Sequence, residues 1–431
     1  MKIRDVLEID YFLLLPVIIL MVLGVLYIYS SGITSAGTQV SDEYIKQIIW
    51  ASAGLAAAIV LSVVDYRKFY NISLYIYFLS LLPLLYTLLF GRLRWLIIGA
   101  FSIQMSEFVK LSVIILLARY LADTDHNRGS FPRFFISCMI VFFPMGIVLL
   151  QPDLGTAIAY IAILITMIFI AGVSMRYVAF MVSCIGLTGI FLVLPLWQAY
   201  IFRKPLPFLA ILTNAKIIVI AALFLLLIAA IALFGYIKYK KRYFFWVVYS
   251  AAIVVFSLGA SFAARIVLKN YQIMRLIVFL DPNVDPRGAG WNIIQSVTAI
   301  GSGGLTGMGY LQGTQSHYRF LPEQSTDFIF SIFSEEAGFL GGIFVFVLYL
   351  LICYRLLLTM KTTIDPFGKY VCAGLAGMFS FHFIVNVGMT MGIMPITGLP
   401  LLFMSYGGSS ILTSMIGIGL AMSVFVRRYN R

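Results

Sequence analysis

This sequence predicts an all-α polytopic membrane protein, and three observations carry that prediction. Of its 431 residues, 62% are hydrophobic and only 11% charged, against about 25% charged in soluble domains. Mean hydropathy is +1.01. Apolar runs of about 18 or more residues, long enough to span a bilayer, recur along the whole chain. The net charge of +13 does not indicate nucleic acid, because no basic run is interleaved with aromatic residues. It fits cations retained on the cytoplasmic side of a membrane.

Twelve spans are expected, at 11–30, 45–64, 72–90, 106–122, 134–151, 154–172, 177–197, 214–236, 243–266, 328–354, 368–390 and 400–425. The acidic Asp5, Glu8 and Asp10 before a long apolar run indicate a retained first span rather than a cleaved signal peptide. Alternating the spans puts Lys2, Arg4, Arg67, Lys68, Arg119, Arg128, Arg133, Arg176, Lys238, Lys240, Lys241, Arg242, Arg355, Lys361, Lys369, Arg427, Arg428 and Arg431 on one side. The short loops on the other side hold only Arg92, Arg94, Arg203 and Lys204. Both termini are therefore expected to be cytoplasmic, with the polar stretch between the ninth and tenth spans outside; that stretch is long enough to translocate whatever its charge. Outside the cell there is no ATP or nucleotide sugar. Synthetic chemistry there needs a substrate that arrives already activated, such as a membrane-anchored diphosphate sugar.

Along the chain, the first polar constellation is "RLRWLIIGAFSIQMSEFVK". Arg94 and Trp95 fall in an outer loop, while Glu107 and Lys110 are neighbours (i, i+3) at the outer end of the fourth span. An intramembrane salt bridge explains the pair. A cationic site for a pyrophosphate, with Arg94 as bidentate donor and Lys110 as point charge, is the other reading, and both stay open. Gln151-Pro152-Asp153 interrupts an apolar run and reads as a hairpin turn, with Asp153 capping the next helix. Cys138, Cys184, Cys353 and Cys372 lie in apolar segments and read as small buried residues. His126, His317 and His382 are scattered and make no metal cluster.

The stretch from Asp281 to Gly342 is the most informative. Gly301, Gly303, Gly304, Gly307 and Gly309 match neither phosphate-loop spacing; tight packing of a short re-entrant segment is expected, with backbone amides lining a lipid-phosphate site as the alternative. Asp327 stands where the polar loop enters an apolar helix, with Ser331, Ser334 and Glu335 expected on the same face. A carboxylate there is costly unless it faces a cavity or a partner. Partial desolvation suits it to act as a general base; capping the helix by Ser325, Thr326 or Asp327 is the competing and compatible role. Glu335 and Glu336 lie deeper, to be paired with Arg or Lys of another span or to contact substrate. Near the end, "NVGMTMGIMPITGLPLLFMSYGGSS", with Pro395 and Pro400, should be an unwound element lining a cavity.

Five stretches in order, "RWLIIGAFSIQMSEFVK", "QPDLGTA", "DPRGAGWNIIQSVTAIGSGGLTGMGYLQGTQS", "FLPEQSTDFIF" with "SEEAG", and "PITGLPLLFMSYGGSS", resemble the SEDS family (shape, elongation, division and sporulation) over nearly the whole chain. The "GTQS" form and short N-terminus look more like its rod-shape branch than its division branch. The resemblance implies a peptidoglycan glycosyltransferase that polymerises lipid II at the outer face of the bacterial cytoplasmic membrane. It implies Asp327 as the catalytic residue, deprotonating the acceptor 4-hydroxyl in an inverting reaction. Arg94, Glu107, Lys110, Gln295, Gln315, Glu323 and Ser405 form the expected substrate-binding set, with Arg94 and Lys110 on the leaving pyrophosphate. No cofactor is assigned, and a divalent cation at the pyrophosphate is left open. The expected partners are a class B penicillin-binding protein and other elongation-complex proteins, with no nucleic acid.

The chain also departs from the family pattern. Met105 and Ala100 stand where Pro is common, and Gln324-Ser325 replaces a usual Arg-His. The family has about ten spans, so 203–268 is expected to be an inserted two-helix hairpin, followed by a catalytic loop at 269–327. Two further readings of function are a flippase or transporter for lipid-linked precursors and a non-catalytic scaffold for the crosslinking partner. Against the transporter stand the absence of similarity between the chain's halves and the concentration of polar features around one loop.

Overall fold

The structure is a computed structural model that describes residues 9–90, 94–98, 101–202, 204, 206 and 209–429. The expectations placed on Lys2, Arg4, Asp5, Glu8, Arg92, Ala100, Arg203 and Arg431 lie outside the described residues. The described chain is predominantly helical, as the long apolar runs demand. With no water to satisfy main-chain groups in a bilayer, a helix is the form that pairs them within one segment.

In order come α1 (Tyr11–Ser31), α2 (Glu43–Val63), α3 (Arg67–Leu89), a hairpin of β1 (Trp95–Ile98) and β2 (Phe101–Gln104), α4 (Met105–Asp123), α5 (Phe131–Leu150) and α6 (Leu154–Ile170). Then follow α7 (Met175–Trp197), α8 (Ala215–Tyr239), α9 (Arg242–Val267), α10 (Asn270–Leu280), α11 (Ala289–Ser302), α12 (Ile329–Thr362), α13 (Pro366–Thr390) and α14 (Gly408–Val426). Ten of these helices are long and apolar enough to cross a membrane. Two other expected spans fall on α4, which carries charges, and α6, which has 17 residues.

The chain divides into two compact units, Met1–Val173 with Trp291–Arg431, and Ser174–Gly290. In the first, α14 packs most extensively on α2, and α13 packs on α4, α6 and α12. Small residues along "CAGLAGM" permit this approach: a Cβ on Gly374 would sit 2.8 Å from Ile114 and from Met167. Consequently α13 is buried along most of its length, and its polar residues have to find partners inside the protein. The second unit has its own apolar cluster of Leu209, Leu212, Ile218 and Leu258. Arg265 there donates to the carbonyls of Phe191 (2.8 Å) and Leu212.

Four expectations need correction. The β1–β2 hairpin, paired antiparallel from Trp95↔Gln104 to Ile98↔Phe101, was expected as plain loop. Its β-branched and aromatic residues suit a short strand pair. The last helix begins at Gly408 rather than near 400, because Pro395, Gly398 (φ 73°) and Pro400 keep 391–407 irregular. The helix from Ile329 is broken at Gly338, where φ is 69° and ψ −168°. Finally, Asp327 does not share a helical face with Ser331, Ser334 and Glu335: residues 322–328 form turns, Glu323 has φ 50°, and the helix starts only at Ile329.

Candidate functional site

The glycine-rich segment acts as a plug for the broken helix. Interrupting α12 at Gly338 frees main-chain groups on both sides of the break, and the segment 304–309 pairs with them. The amides of Met308 and Gly309 donate to the carbonyls of Glu335 and Glu336, each at 3.0 Å. The amides of Phe339 and Leu340 donate to Gly304 (2.9 Å) and Leu305 (3.1 Å). Gly307 has φ 83°, and a Cβ there would meet the carbonyl carbon of Ala337 at 2.7 Å. Only glycine permits this contact.

The two glutamates fasten the following loop. Glu335 accepts from Thr314 Oγ1 (3.1 Å) and the amides of Gln315 (2.7 Å) and Ser316 (3.3 Å). Glu336 accepts from Ser30 Oγ (2.5 Å) and the Leu311 amide (3.0 Å), with His317 Nε2 at 3.5 Å. Of the two expectations, pairing with Arg or Lys is not seen among the described residues; hydroxyl and main-chain donors 19–25 residues earlier in the chain, with Ser30, bond both carboxylates instead. Beside Glu336, burial raises the phenol pKa of Tyr310, and the carboxylate adds to the effect.

Asp327 is half-buried and lies in the turn just before α12. The N-cap position of α12 is taken by Phe328, so Ser325, Thr326 and Asp327, expected to cap the helix, lie one to three residues before it. The backbone of this turn is pinned. Asn386 Nδ2 donates to Asp327 O (3.0 Å) and to Leu399 O (2.8 Å), and the Tyr406 amide donates to Ser325 O (2.7 Å). The irregular segment 391–407 thus serves as a shelf under the Asp327 turn.

The Glu107–Lys110 pair reaches the same shelf from the other side. Lys110 Nζ, fully buried, lies 2.9 Å from Glu107 Oε1 and 3.0 Å from His382 Nε2. His382 Nδ1 lies 3.2 Å from Pro400 O. The chain Glu107–Lys110–His382–Pro400 therefore joins Leu399–Asn386–Asp327 through one irregular strand. His382 and Asn386 were not picked out as site residues from sequence. The visible signal was a pair of polar residues at i, i+4 in an apolar helix.

The other expected residues fall into separate places. Arg94 donates from Nε to Gln151 O (3.1 Å) and from its terminal amino group to Pro152 O, so its guanidinium braces the 151–153 turn. Asp153 caps α6 through the Thr156 amide (3.2 Å) and also accepts from Gln104 Nε2 (2.7 Å). Ser405 is buried, and its hydroxyl accepts from the Leu401 amide (2.8 Å), which shapes the shelf. Glu323 accepts from Thr326 Oγ1 (3.2 Å) in the turn. Gln295 is partly exposed on α11; Gln315, also partly exposed, has a buried Oε1 with no hydrogen-bond partner among the described residues. A 380 Å³ cleft lies beside this turn, lined by Ser41, Glu43, Arg319, Glu323, Gln324 and Ser325, among others. Among the described residues, no group of three or more His, Cys, Asp or Glu is placed to hold a metal ion.

A family model described as "Cell cycle protein", covering FtsW, RodA and SpoVE, matches residues 11–215 and 206–430. The chain is 47% identical to "Peptidoglycan glycosyltransferase RodA" of Treponema pallidum, over 99% of this chain and 100% of that protein. It is 30% identical to "Stage V sporulation protein E" of Bacillus subtilis, covering 98% of each. It is also 30% identical to "Peptidoglycan glycosyltransferase MrdB" of Escherichia coli, over 98% of this chain and 95% of that one. Among solved structures, a chain of a peptidoglycan synthase complex that coordinates polymerization and crosslinking matches with TM-score 0.65 and 24% identity, covering 98% of this chain and 99% of that one. The rod shape determining protein RodA of Thermus thermophilus matches with TM-score 0.58 and 21% identity, covering 98% of each. These two structural likenesses establish the fold.

Proposed function

The chain belongs to the FtsW/RodA/SpoVE family, and from that premise we propose that it is a peptidoglycan glycosyltransferase with its reaction centred on Asp327. The protein is a multi-pass membrane protein. The observation that carries the assignment of the centre is the polar chain just described, which ties the Asp327 turn to the Glu107–Lys110 pair through the shelf at 399–400. A carboxylate and an ammonium on one rigid support match what glycosyl transfer from a lipid diphosphate needs: a base for the acceptor and positive charge toward the donor phosphates.

In this reading the Asp327 carboxylate accepts the proton of the acceptor 4-hydroxyl. The oxygen attacks the anomeric carbon of the lipid-linked chain, the bond from that carbon to the diphosphate oxygen breaks, and the lipid diphosphate departs with its electron pair. Attack opposite the leaving group turns an α-linked donor into a β-1,4 bond. Lys110 supplies positive charge toward the phosphates. Arg94 acts one step removed, by bracing the 151–153 turn. The donor is lipid II, drawn from the outer face of the cytoplasmic membrane, and any divalent cation at the diphosphate comes with the substrate. A class B penicillin-binding protein is the partner that crosslinks the strand. The two-helix insertion expected at 203–268 corresponds to α8 and α9.

The test is lipid II polymerisation by the purified protein with its crosslinking partner. Loss of a general base costs about 10²–10⁴-fold in rate, so Asp327→Asn should leave almost no glycan while keeping the parent's thermal midpoint. Equal glycan from both proteins removes Asp327 from the chemistry. No glycan from the parent, together with movement of lipid II across vesicle bilayers, establishes a flippase instead.

A further inference from the structure

His382 and Asn386 stand one turn apart on α13, both fully buried. Their contacts determine more than location. Lys110 Nζ can only donate and Pro400 O can only accept, so the His382 ring, with Nε2 at 3.0 Å from the one and Nδ1 at 3.2 Å from the other, must accept at Nε2 and donate from Nδ1. That is the neutral Nδ1–H tautomer. An Nε2–H tautomer or an imidazolium would set a proton against the ammonium protons. The amide of Asn386 is oriented by the same logic. Its nitrogen faces two carbonyl oxygens, Asp327 O and Leu399 O, and a flipped amide would place oxygen against both. Its Oδ1 is buried and without a partner among the described residues, so these two donated bonds are what hold the side chain in place.

We infer that His382 and Asn386 are a positioning pair: one aims the Lys110 ammonium, the other holds the peptide of Asp327, and the rigid turn of α13 between them sets the separation of base and cation. The inference rests on the glycosyltransferase reading. Neither residue touches substrate in this scheme. Each residue anchors one half of the site, and both bond to consecutive carbonyls, Leu399 and Pro400, so the shelf, α13 and the two functional groups move as one body. A misplacement of about 1 Å in such an arrangement costs on the order of 100-fold in rate.

Two measurements test it. Nitrogen NMR of protein labelled at its three histidines, in lipid at neutral pH, should show one neutral Nδ1–H ring that vanishes in His382→Gln. A neutral Nε2–H ring or a doubly protonated ring at this position overturns the inference. Steady-state polymerisation supplies the second. His382→Gln, whose amide can accept from Lys110 and donate to Pro400 O, should keep close to parental kcat. His382→Leu and Asn386→Leu should lose on the order of 100-fold in kcat with KM near parental. If either leucine variant fails to fold, His382→Asn and Asn386→Ser, too short to span both partners, replace them. Parental kcat in the shortened variants, or equal loss in His382→Gln and His382→Leu, overturns the pair. If the parent itself makes no glycan, the glycosyltransferase reading fails, and the tautomer result alone decides whether the His382 bridge exists.

Discussion

Replacing Glu335 with alanine tests the plug and loop architecture directly. The carboxylate accepts three hydrogen bonds, from Thr314 Oγ1, the Gln315 amide and the Ser316 amide, at 3.1, 2.7 and 3.3 Å. Its removal leaves two main-chain donors unpaired in a site that excludes water from Glu335 itself. Each unpaired buried donor costs about 1–3 kcal/mol. Relief from desolvating the carboxylate offsets part of this, so the net local cost should be about 2–3 kcal/mol. At about 1.4 kcal/mol per factor of ten, amides of residues 311–317 should exchange with solvent roughly 30- to 150-fold faster. Hydrogen exchange followed by mass spectrometry on peptides covering this loop measures the change. Glu335→Gln should lie between, since one amide oxygen still accepts. Unchanged exchange in Glu335→Ala would show that the loop is held by its apolar contacts, and the reasoning from the carboxylate would fail.

Two further outcomes are expected. Gly338→Ala forces a side chain onto a backbone with φ 69° and ψ −168°, with Leu305 O 2.7 Å from its Cβ; a residue in that region costs about 1–3 kcal/mol before any clash, so the thermal midpoint should fall and the 304–309 amides should lose protection, whereas an unchanged midpoint would mean that α12 can straighten. On the opposite side of the first unit, the Arg128 guanidinium holds the Asp125 carboxyl below its usual range, partial burial pushes it back up, and hydrogen bonding from Tyr370 OH (2.7 Å) lowers it again, aided by the charges of Arg128 and Arg133. A carboxyl depressed in the folded state contributes stability above its unfolded pKa and loses it as pH falls through the lower folded value. Asp125→Asn should therefore lower the thermal midpoint at neutral pH and flatten its fall below about pH 4; parallel curves for parent and variant would rule out the contribution.

Much of the fold was legible because a bilayer leaves few solutions. Uniform apolar runs can only be helices, and the Gln151-Pro152-Asp153 turn is written in residues that end one helix and cap the next. Parts of the site were legible for the same reason, since a carboxylate or lysine in an apolar run stands out. What those residues bond to was not legible. Lys110 finds its histidine 272 positions away. The break at Gly338 hid inside "SEEAGFLGG", where a lone glycine in an apolar run is normally tolerated within a helix. Ser325, Thr326 and Asp327 mark the start of α12 in the sequence, but the turn runs on through 322–328, with Glu323 at positive φ, and Phe328 holds the N-cap position. The four-residue strands β1 and β2 leave no signal in the sequence, because periodicity cannot be read over so short a run.

The two irregular segments, 303–309 and 391–407, explain one another. Irregular backbone among apolar helices persists only when its polar groups find partners, since each group left unpaired is costly. The first segment is satisfied by the groups that Gly338 releases from α12, so the break and the plug each supply what the other lacks. The second is satisfied partly by its own turns, as in the bond from the Leu401 amide to Ser405 Oγ (2.8 Å). The rest comes from two side chains whose other contacts lie in the site, His382 on Pro400 and Asn386 on Leu399, and from Gln47, which donates from Nε2 to Ser405 O (3.0 Å) and accepts from the Gly407 amide (3.3 Å). Replacing the shelf with regular helix would use its carbonyls internally and strip His382 and Asn386 of acceptors. Glycine and proline at 392–400 are therefore part of the site even where they touch no substrate, because an unwound carbonyl is what a buried histidine and asparagine need in order to hold Lys110 and Asp327 on one support.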